Sequence, residues 1–295
     1  MPILRINAGP AGLCLHGTGD DPWAALHRAG ARAARIVVMV HGYKYSPFVA
    51  RHCPQAKLFA RDRWPAAFGA AEADTLVVAF GWHARGTLVA AYDRATTKAA
   101  VLSKVIATLR RAGPPVDIVA HSLGTTLALS ALPYLGAGDV GRLVLLSAAA
   151  HRCVAAHALA TPAGRVARTV HVTSRENAVF DLLFERLVPG AGALSRDRAI
   201  ATVLIDSDRT RADLARAGFD IAPRDRLVSH WSSYARPGVM ALNAALLDGR
   251  LPLDALPAPA PARAALRRVG LAIARQSGIM RGASRQEAHP HEHVT

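Results

Sequence analysis

The stretch VDIVAHSLGTTLAL, residues 116–129, decides how the rest of this chain should fold. Its first residues are apolar and β-branched, as in a buried strand, and a helix-forming run begins directly after HSLG (121–124). A serine at such a sharp change from strand to helix adopts a strained backbone, costing about 1–3 kcal/mol, that projects its hydroxyl above the sheet. The close approach of strand and helix requires small residues two positions before and after the serine, and Ala120 and Gly124 meet this requirement. The pattern therefore predicts a nucleophile elbow with Ser122 as the nucleophile.

Short apolar runs alternate with helical patterns along the chain, which is typical of a mostly parallel sheet covered by helices on both faces. The predicted strands are residues 3–7, 13–16, 35–40, 75–80, 116–120, 142–147 and 168–174, of which the first two could form an antiparallel edge. Helices are predicted over residues 92–113, 125–132 and 178–187. The less regular region 188–228, with a possible strand at 199–205 and a polar helix near 208–217, could shape a binding site. The predicted fold class is therefore α/β.

The composition suggests one large domain with an appendage. We expect a catalytic domain over residues 1–250, a stiff Pro-rich linker over 251–262 and a basic tail over 263–295, in part helical and then disordered. The tail could form a basic amphipathic helix that lies on an anionic membrane surface. Two glycines weaken that helix, which favours docking of the tail on the domain or disorder. The histidines near the end, within residues 289–293, are expected to be solvated rather than to bind metal.

The net charge of +15 does not predict nucleic-acid binding, because the arginines are scattered and the known nucleic-acid motifs are missing. No apolar run approaches the roughly 18–20 residues that a membrane span needs, and the first residues lack a secretory pattern. The three cysteines are widely spaced, which argues against a disulfide framework or a zinc site. We therefore expect a cytoplasmic protein.

A second motif, VVMVHGYKYS (37–46), places His41-Gly42-Tyr43 directly after another apolar strand. Acyl transfer requires two backbone N–H groups directed at the developing oxyanion, each contributing about 3 kcal/mol of transition-state stabilisation. In a fold with an elbow, one group belongs to the residue after the nucleophile and the other to the loop after the third strand. The predicted oxyanion hole is therefore formed by the N–H groups of Leu123 and Tyr43.

The remaining triad members follow from chain order, which is serine, then acid, then histidine in such folds. Of thirteen histidines, only His230 and those within 289–293 follow any plausible acid, and the latter lie in the polar tail. His230 is therefore the predicted general base. The acid should follow the strand at 168–174, where Glu176 is the first carboxylate and our prediction. Asp181 is the alternative, and Asn177 could orient His230 by a hydrogen bond alone.

The succession VMVHGYKYS, VVAFGWHARG, AYDRATTKAAVLSKVI, DIVAHSLGT and SHWSSYARPG resembles the bacterial predicted serine esterases of the α/β-hydrolase superfamily, over roughly residues 1–250. Tyr92-Asp93 matches the element that leads into the helix before the elbow in that family, whereas His83 replaces a usual proline. The resemblance implies the α/β-hydrolase fold and a triad of Ser122, an acid and His230.

These features together predict a serine hydrolase that cleaves a small-molecule carboxylic ester through an acyl-enzyme and needs neither a metal nor an organic cofactor. Two alternatives to ester hydrolysis remain, one a different acyl-transfer reaction and the other a function without catalysis. An acyltransferase or a thioesterase would employ the same residues, and a non-catalytic binding module would keep only the fold. The oligomeric state does not follow from the sequence.

Overall fold

The computed structural model describes residues 3–190, 192–194 and 200–256 of the 295-residue chain. Its strands are β1 (Leu4–Gly9), β2 (Gly12–Leu15), β3 (Arg35–Val40), β4 (Thr75–Trp82), β5 (Val116–His121), β6 (Val140–Leu146), β7 (Arg168–Thr173) and β8 (Ala201–Leu204). They form one sheet in the order β2-β1-β4-β3-β5-β6-β7-β8. Among the strands of the described residues, only the edge strand β2 runs antiparallel to its neighbour, and all other pairs are parallel. The predicted mostly parallel sheet with an antiparallel edge is confirmed.

Helices connect the parallel strands. They are α1 (Pro22–Gly30), α2 (Pro54–Lys57), α3 (Trp64–Ala67), α4 (Leu88–Ala112), α5 (Leu123–Ala131), α6 (Arg152–Ala160), α7 (Pro162–Val166), α8 (Ala178–Leu187), α9 (Asp208–Arg216), α10 (Ser232–Ala235) and α11 (Val239–Asp248). In the described part of the chain, every helix is too short or too polar to cross a bilayer.

Both faces of the sheet are buried, as strand β3 illustrates. Ile36, Val38 and Val40 pack into one core with residues from α1, α4, α5 and α6, while Val37 and Met39 pack into the other with residues from α3, α9 and α11. Successive side chains of a strand point to opposite faces, so a strand buried on both sides is a continuous apolar run. This burial explains why the central strands were recognisable from the sequence.

The long helix α4 leads from β4 to β5 and so determines how the elbow strand enters the sheet. Thr87 caps it, with its Oγ1 accepting a hydrogen bond from the Ala90 N–H at 3.2 Å. At its other end a Cβ on Gly113 would lie 2.5 Å from the carbonyl oxygen of Gly30, so glycine permits close packing against α1. The predicted helix at 92–113 is confirmed, although α4 begins at Leu88, four residues before the predicted start.

The last part of the described chain extends the sheet and then returns to the ends of the strands. The predicted strand at 199–205 and helix near 208–217 correspond to β8 and α9. From residue 217 to residue 231 the chain has no helix or strand, and it then enters α10 and α11. The predicted linker at 251–262 lies only partly within the described residues, and the predicted tail at 263–295 lies outside them.

Candidate active site

Ser122 occupies the turn between β5 and α5, with φ of 53° and ψ of −127°. Such a left-handed conformation is costly for a residue with a side chain, and the surrounding contacts hold it in place. The Ser122 N–H donates to the carbonyl oxygen of Leu146 at 2.9 Å, and its own carbonyl accepts from the Ala149 N–H at 3.2 Å. A Cβ on Gly124 would lie 2.5 Å from the carbonyl oxygen of His41, so the turn needs glycine there. Residues 120–124 therefore form a nucleophile elbow by geometry.

The loop after β3 lies directly against this serine. A Cβ on Gly42 would lie only 2.6 Å from the Ser122 Cβ, so no larger residue fits between them. The buried His41 ring fixes the loop: its Nε2 accepts from the Trp82 N–H at 3.1 Å, and its Nδ1–H donates to the carbonyl oxygen of Gly42 at 2.9 Å. Burial lowers the pKa of His41 to about 4, so the ring is neutral near pH 7 and has a structural role.

The two N–H groups predicted to form the oxyanion hole are those of Tyr43 and Leu123. Leu123 is the first residue of α5, and an N–H in the first turn of a helix has no partner within the helix. Within the described residues, neither N–H donates a hydrogen bond. The Tyr43 hydroxyl donates to the carbonyl oxygen of Gly86, which fixes its ring. That these two donors receive an oxyanion stays a prediction.

His230 contacts the serine and a second polar side chain. Its Nε2 lies 2.6 Å from the Ser122 Oγ, and its Nδ1 lies 2.6 Å from the Asn177 Oδ1. Because an amide oxygen only accepts, Nδ1 carries the proton and Nε2 can accept the serine hydroxyl. The His230 ring stacks on the Phe180 ring, with 4.6 Å between the ring centroids. The His230 carbonyl accepts a hydrogen bond from the His121 Nε2–H at 3.1 Å. Burial, with a smaller effect of the His121 ring, holds the pKa of His230 well below its usual value.

Glu176, the residue predicted to orient His230, directs its carboxylate to other partners. Its buried carboxylate accepts hydrogen bonds from Ser232 and from the guanidinium of Arg236, whose side chain is also buried. A buried guanidinium requires a charged partner, and Glu176 supplies it. The structure thus brings Ser122 and His230 together as predicted but places Asn177, rather than Glu176, against the ring.

Asp181, the alternative acid, contacts Asn177. The Asn177 Nδ2–H donates to the Asp181 Oδ1 at 2.8 Å, across one turn at the start of α8. Sequence reasoning missed this pair, although residues four apart in a helix commonly join an amide to a carboxylate. The polar groups form a hydrogen-bonded row in the order Ser122, His230, Asn177 and Asp181.

Two aromatic side chains lie beside the His230 ring in this row. Phe180 is half-buried against His230, and its ring also lies edge-on to that of Trp231, with 6.3 Å between the ring centroids. The apolar rim, as we call it, comprises Phe180 and the exposed Trp231, whose rings adjoin each other and the His230 ring.

No three His, Cys, Asp or Glu side chains lie close enough together to hold a metal ion in the part of the chain that the structure describes.

Comparison with known proteins gives one family match. Residues 23–162 match the family described as "Alpha/beta hydrolase of unknown function (DUF900)". Solved structures with similarity include esterase PE8, at 19% identity over 48% of this chain and 69% of that one, with a TM-score of 0.32. The esterase of Pyrobaculum calidifontis is similar at 14% identity over 68% and 73% of the two chains, with a TM-score of 0.33. No curated protein matches by sequence. These structural similarities are too distant to indicate a function. The evidence for a function must therefore come from the side chains of this chain.

Proposed function

Because this chain has the α/β-hydrolase fold, with Ser122 held against His230, we propose that it is a serine hydrolase that cleaves carboxylic esters. The observation that carries the proposal is the 2.6 Å contact between the Ser122 Oγ and His230 Nε2 at a strained elbow. Strain at a polar residue is retained where function requires it, and a serine needs an adjacent base to become a nucleophile.

The reaction proceeds in two steps. The Ser122 Oγ attacks the carbonyl carbon of the ester, and His230 Nε2 takes the hydroxyl proton. The N–H groups of Tyr43 and Leu123 donate to the oxyanion of the tetrahedral intermediate. The intermediate expels the alkoxide, which leaves as the alcohol with the proton from His230, and Ser122 remains acylated. Water then attacks the acyl-enzyme, with His230 again as base, and releases the carboxylic acid and free serine.

The apolar rim supports an ester with an apolar substituent. Phe180 and Trp231 flank His230, and apolar surface beside a reacting centre favours apolar groups by roughly 25 cal/mol for each Å² removed from water. Clusters of exposed apolar residues commonly mark binding sites. We therefore propose that the rim accommodates the acyl chain or the alcohol portion of the substrate.

One observation favours a second candidate function, that of a non-catalytic binding module. The third position of the row holds the neutral amide Asn177, and an amide stabilises an imidazolium less than a carboxylate does. A protein that bound a ligand without turnover would tolerate this residue.

Labelling with a fluorophosphonate probe distinguishes the two functions, because the probe reacts only with an activated serine. We expect the folded protein to be labelled, the Ser122→Ala variant not to be labelled, and a Ser130→Ala control on the far end of α5 to be labelled normally. No labelling of folded protein would refute the hydrolase and favour the binding module. Rates on a matched oxyester and thioester with the same acyl chain would then test ester specificity, and preference for the thioester would contradict our assignment.

A further inference from the structure

The amide of Asn177 lies between a ring and a carboxylate. Its Oδ1 faces His230 Nδ1 at 2.6 Å, and its Nδ2 faces the Asp181 Oδ1 at 2.8 Å. Asn177 itself is buried, whereas Asp181 is half-buried in the first turn of α8.

An amide in this position raises a difficulty that a carboxylate does not. Both oxygens of a carboxylate accept, so either orientation keeps the proton on Nδ1 of the histidine. An amide turned by 180° would present its NH₂ group to Nδ1 and force the proton onto Nε2. That tautomer cannot take the serine proton, and in chymotrypsin-like triads the Asp-to-Asn change lowers kcat about 10⁴-fold for this reason.

We propose that Asp181 is a positioning residue that fixes the orientation of the Asn177 amide and thereby the tautomer of His230. An ionised carboxylate accepts hydrogen bonds and cannot donate them, so the atom of Asn177 that faces Asp181 must be the NH₂ group. The oxygen must then face His230, and Nε2 stays unprotonated beside Ser122. The same orientation directs the negative end of the amide dipole at the imidazolium that forms during reaction. This inference rests on the proposed function.

His230 is neutral at the pH where the tautomer matters. Burial and the neighbouring His121 ring hold the pKa of His230 well below its usual value, so the free ring carries one proton near pH 7 and above. The position of that one proton decides whether the ring can act as a base.

Two variants test the role of Asp181. In Asp181→Ala the amide can turn over, so we expect the rate of fluorophosphonate labelling to fall at least about tenfold, towards the ~10⁴-fold limit of the wrong tautomer. The double variant Asn177→Asp with Asp181→Ala places a carboxylate against the ring and removes the need for orientation, so we expect most of the rate to return. An unchanged rate in Asp181→Ala, or no recovery in the double variant, would overturn the proposal.

The control separates this effect from stabilisation of the helix. Asp181 and Asp208 are both carboxylates in the first turn of a helix, of α8 and α9 respectively. Asp208→Ala therefore removes a similar interaction with a helix terminus, but it removes no contact with Asn177. We expect its labelling rate to equal that of the parent protein, and thermal unfolding should show that all variants are folded. A loss in Asp208→Ala as large as that in Asp181→Ala would refute a specific role for Asp181.

Nitrogen-15 NMR of the His230 ring tests the inference even if the protein is not a hydrolase. We expect the proton on Nδ1 in the parent protein and substantial Nε2–H tautomer in Asp181→Ala. Absence of labelling in the parent protein would refute the proposed function, whereas an unchanged tautomer in Asp181→Ala would refute the role of Asp181.

Discussion

The substitution Glu176→Gln tests whether this carboxylate acts in catalysis or in holding the fold. The change keeps the size of the side chain and one acceptor oxygen, but it removes the charge and replaces the second acceptor oxygen by an NH₂ donor. In the structure the Glu176 side chain is 0% exposed and its partner Arg236 is 3% exposed, so the substitution leaves a buried guanidinium without a counter-charge.

The expected effect on stability is large and the effect on catalysis is small. Breaking a buried ion pair by removing one partner costs about 3–5 kcal/mol. For a domain of this size that free energy corresponds to a fall in Tm of roughly 10 °C. Loss of a true triad acid would instead lower kcat about 10⁴-fold. Because Asn177 and not Glu176 contacts His230, we expect the labelling rate of the folded protein to change by less than about tenfold.

Thermal unfolding and fluorophosphonate labelling, measured on the same preparation below its Tm, give both quantities. The double variant Glu176→Gln with Arg236→Met supplies the control, since removing both members of a buried pair is often nearly neutral and should restore much of the stability. An unchanged Tm together with a labelling rate lower by three or four orders of magnitude would refute the reasoning and restore Glu176 as the triad acid.

Three further predictions follow from the site and the core. Gly42→Ala would place a Cβ 2.6 Å from that of Ser122 and should abolish labelling, whereas Gly19→Ala, with open space around it, should not. Because the pKa of His230 lies well below 6.5, the labelling rate should be constant down to pH 6.5, and an inflection at or above 6.5 would contradict this. Burial lowers the pKa of His171 from 6.5 to about 4, so between these two pH values the unfolded form binds more protons than the folded form. The free energy of unfolding, measured in urea, should therefore fall as the pH is lowered from 6.5 to about 4. His171→Gln should make that fall shallower.

The parts of the fold that were predictable are those whose burial leaves a pattern in the local sequence. The central strands are continuous apolar runs because both faces are covered, and helix α8 was predicted with its observed ends, 178–187. Helix α11, in contrast, was missed. Its residues are apolar nearly all round, so it lacks the one-sided spacing by which a surface helix is recognised.

The site divides in the same way. Ser122 and the glycines beside it are dictated by local geometry, and chain order was sufficient to select His230. The choice between Glu176 and Asn177 depended on Arg236, sixty residues away, and no local pattern reports which neighbour a buried cation will approach. Glu176 was predicted because most triads contain an acid and it is the first carboxylate after the strand. The residue that faces the histidine is the neighbouring amide, Asn177.

The turn between β7 and α8 explains how a histidine on an irregular segment can be placed so closely. The Glu176 carbonyl accepts from the Ser229 N–H at 3.1 Å, and its carboxylate binds Ser232 and Arg236, so Glu176 holds the chain on both sides of His230. Asn177 then contacts the ring itself. The Glu176 carbonyl, which Glu176→Gln would keep, anchors the chain just before the histidine, and the Asn177 Oδ1 accepts from the Nδ1–H of the ring. Glu176 cannot take the place of Asn177 against the ring, because doing so would leave the buried Arg236 without its charge partner.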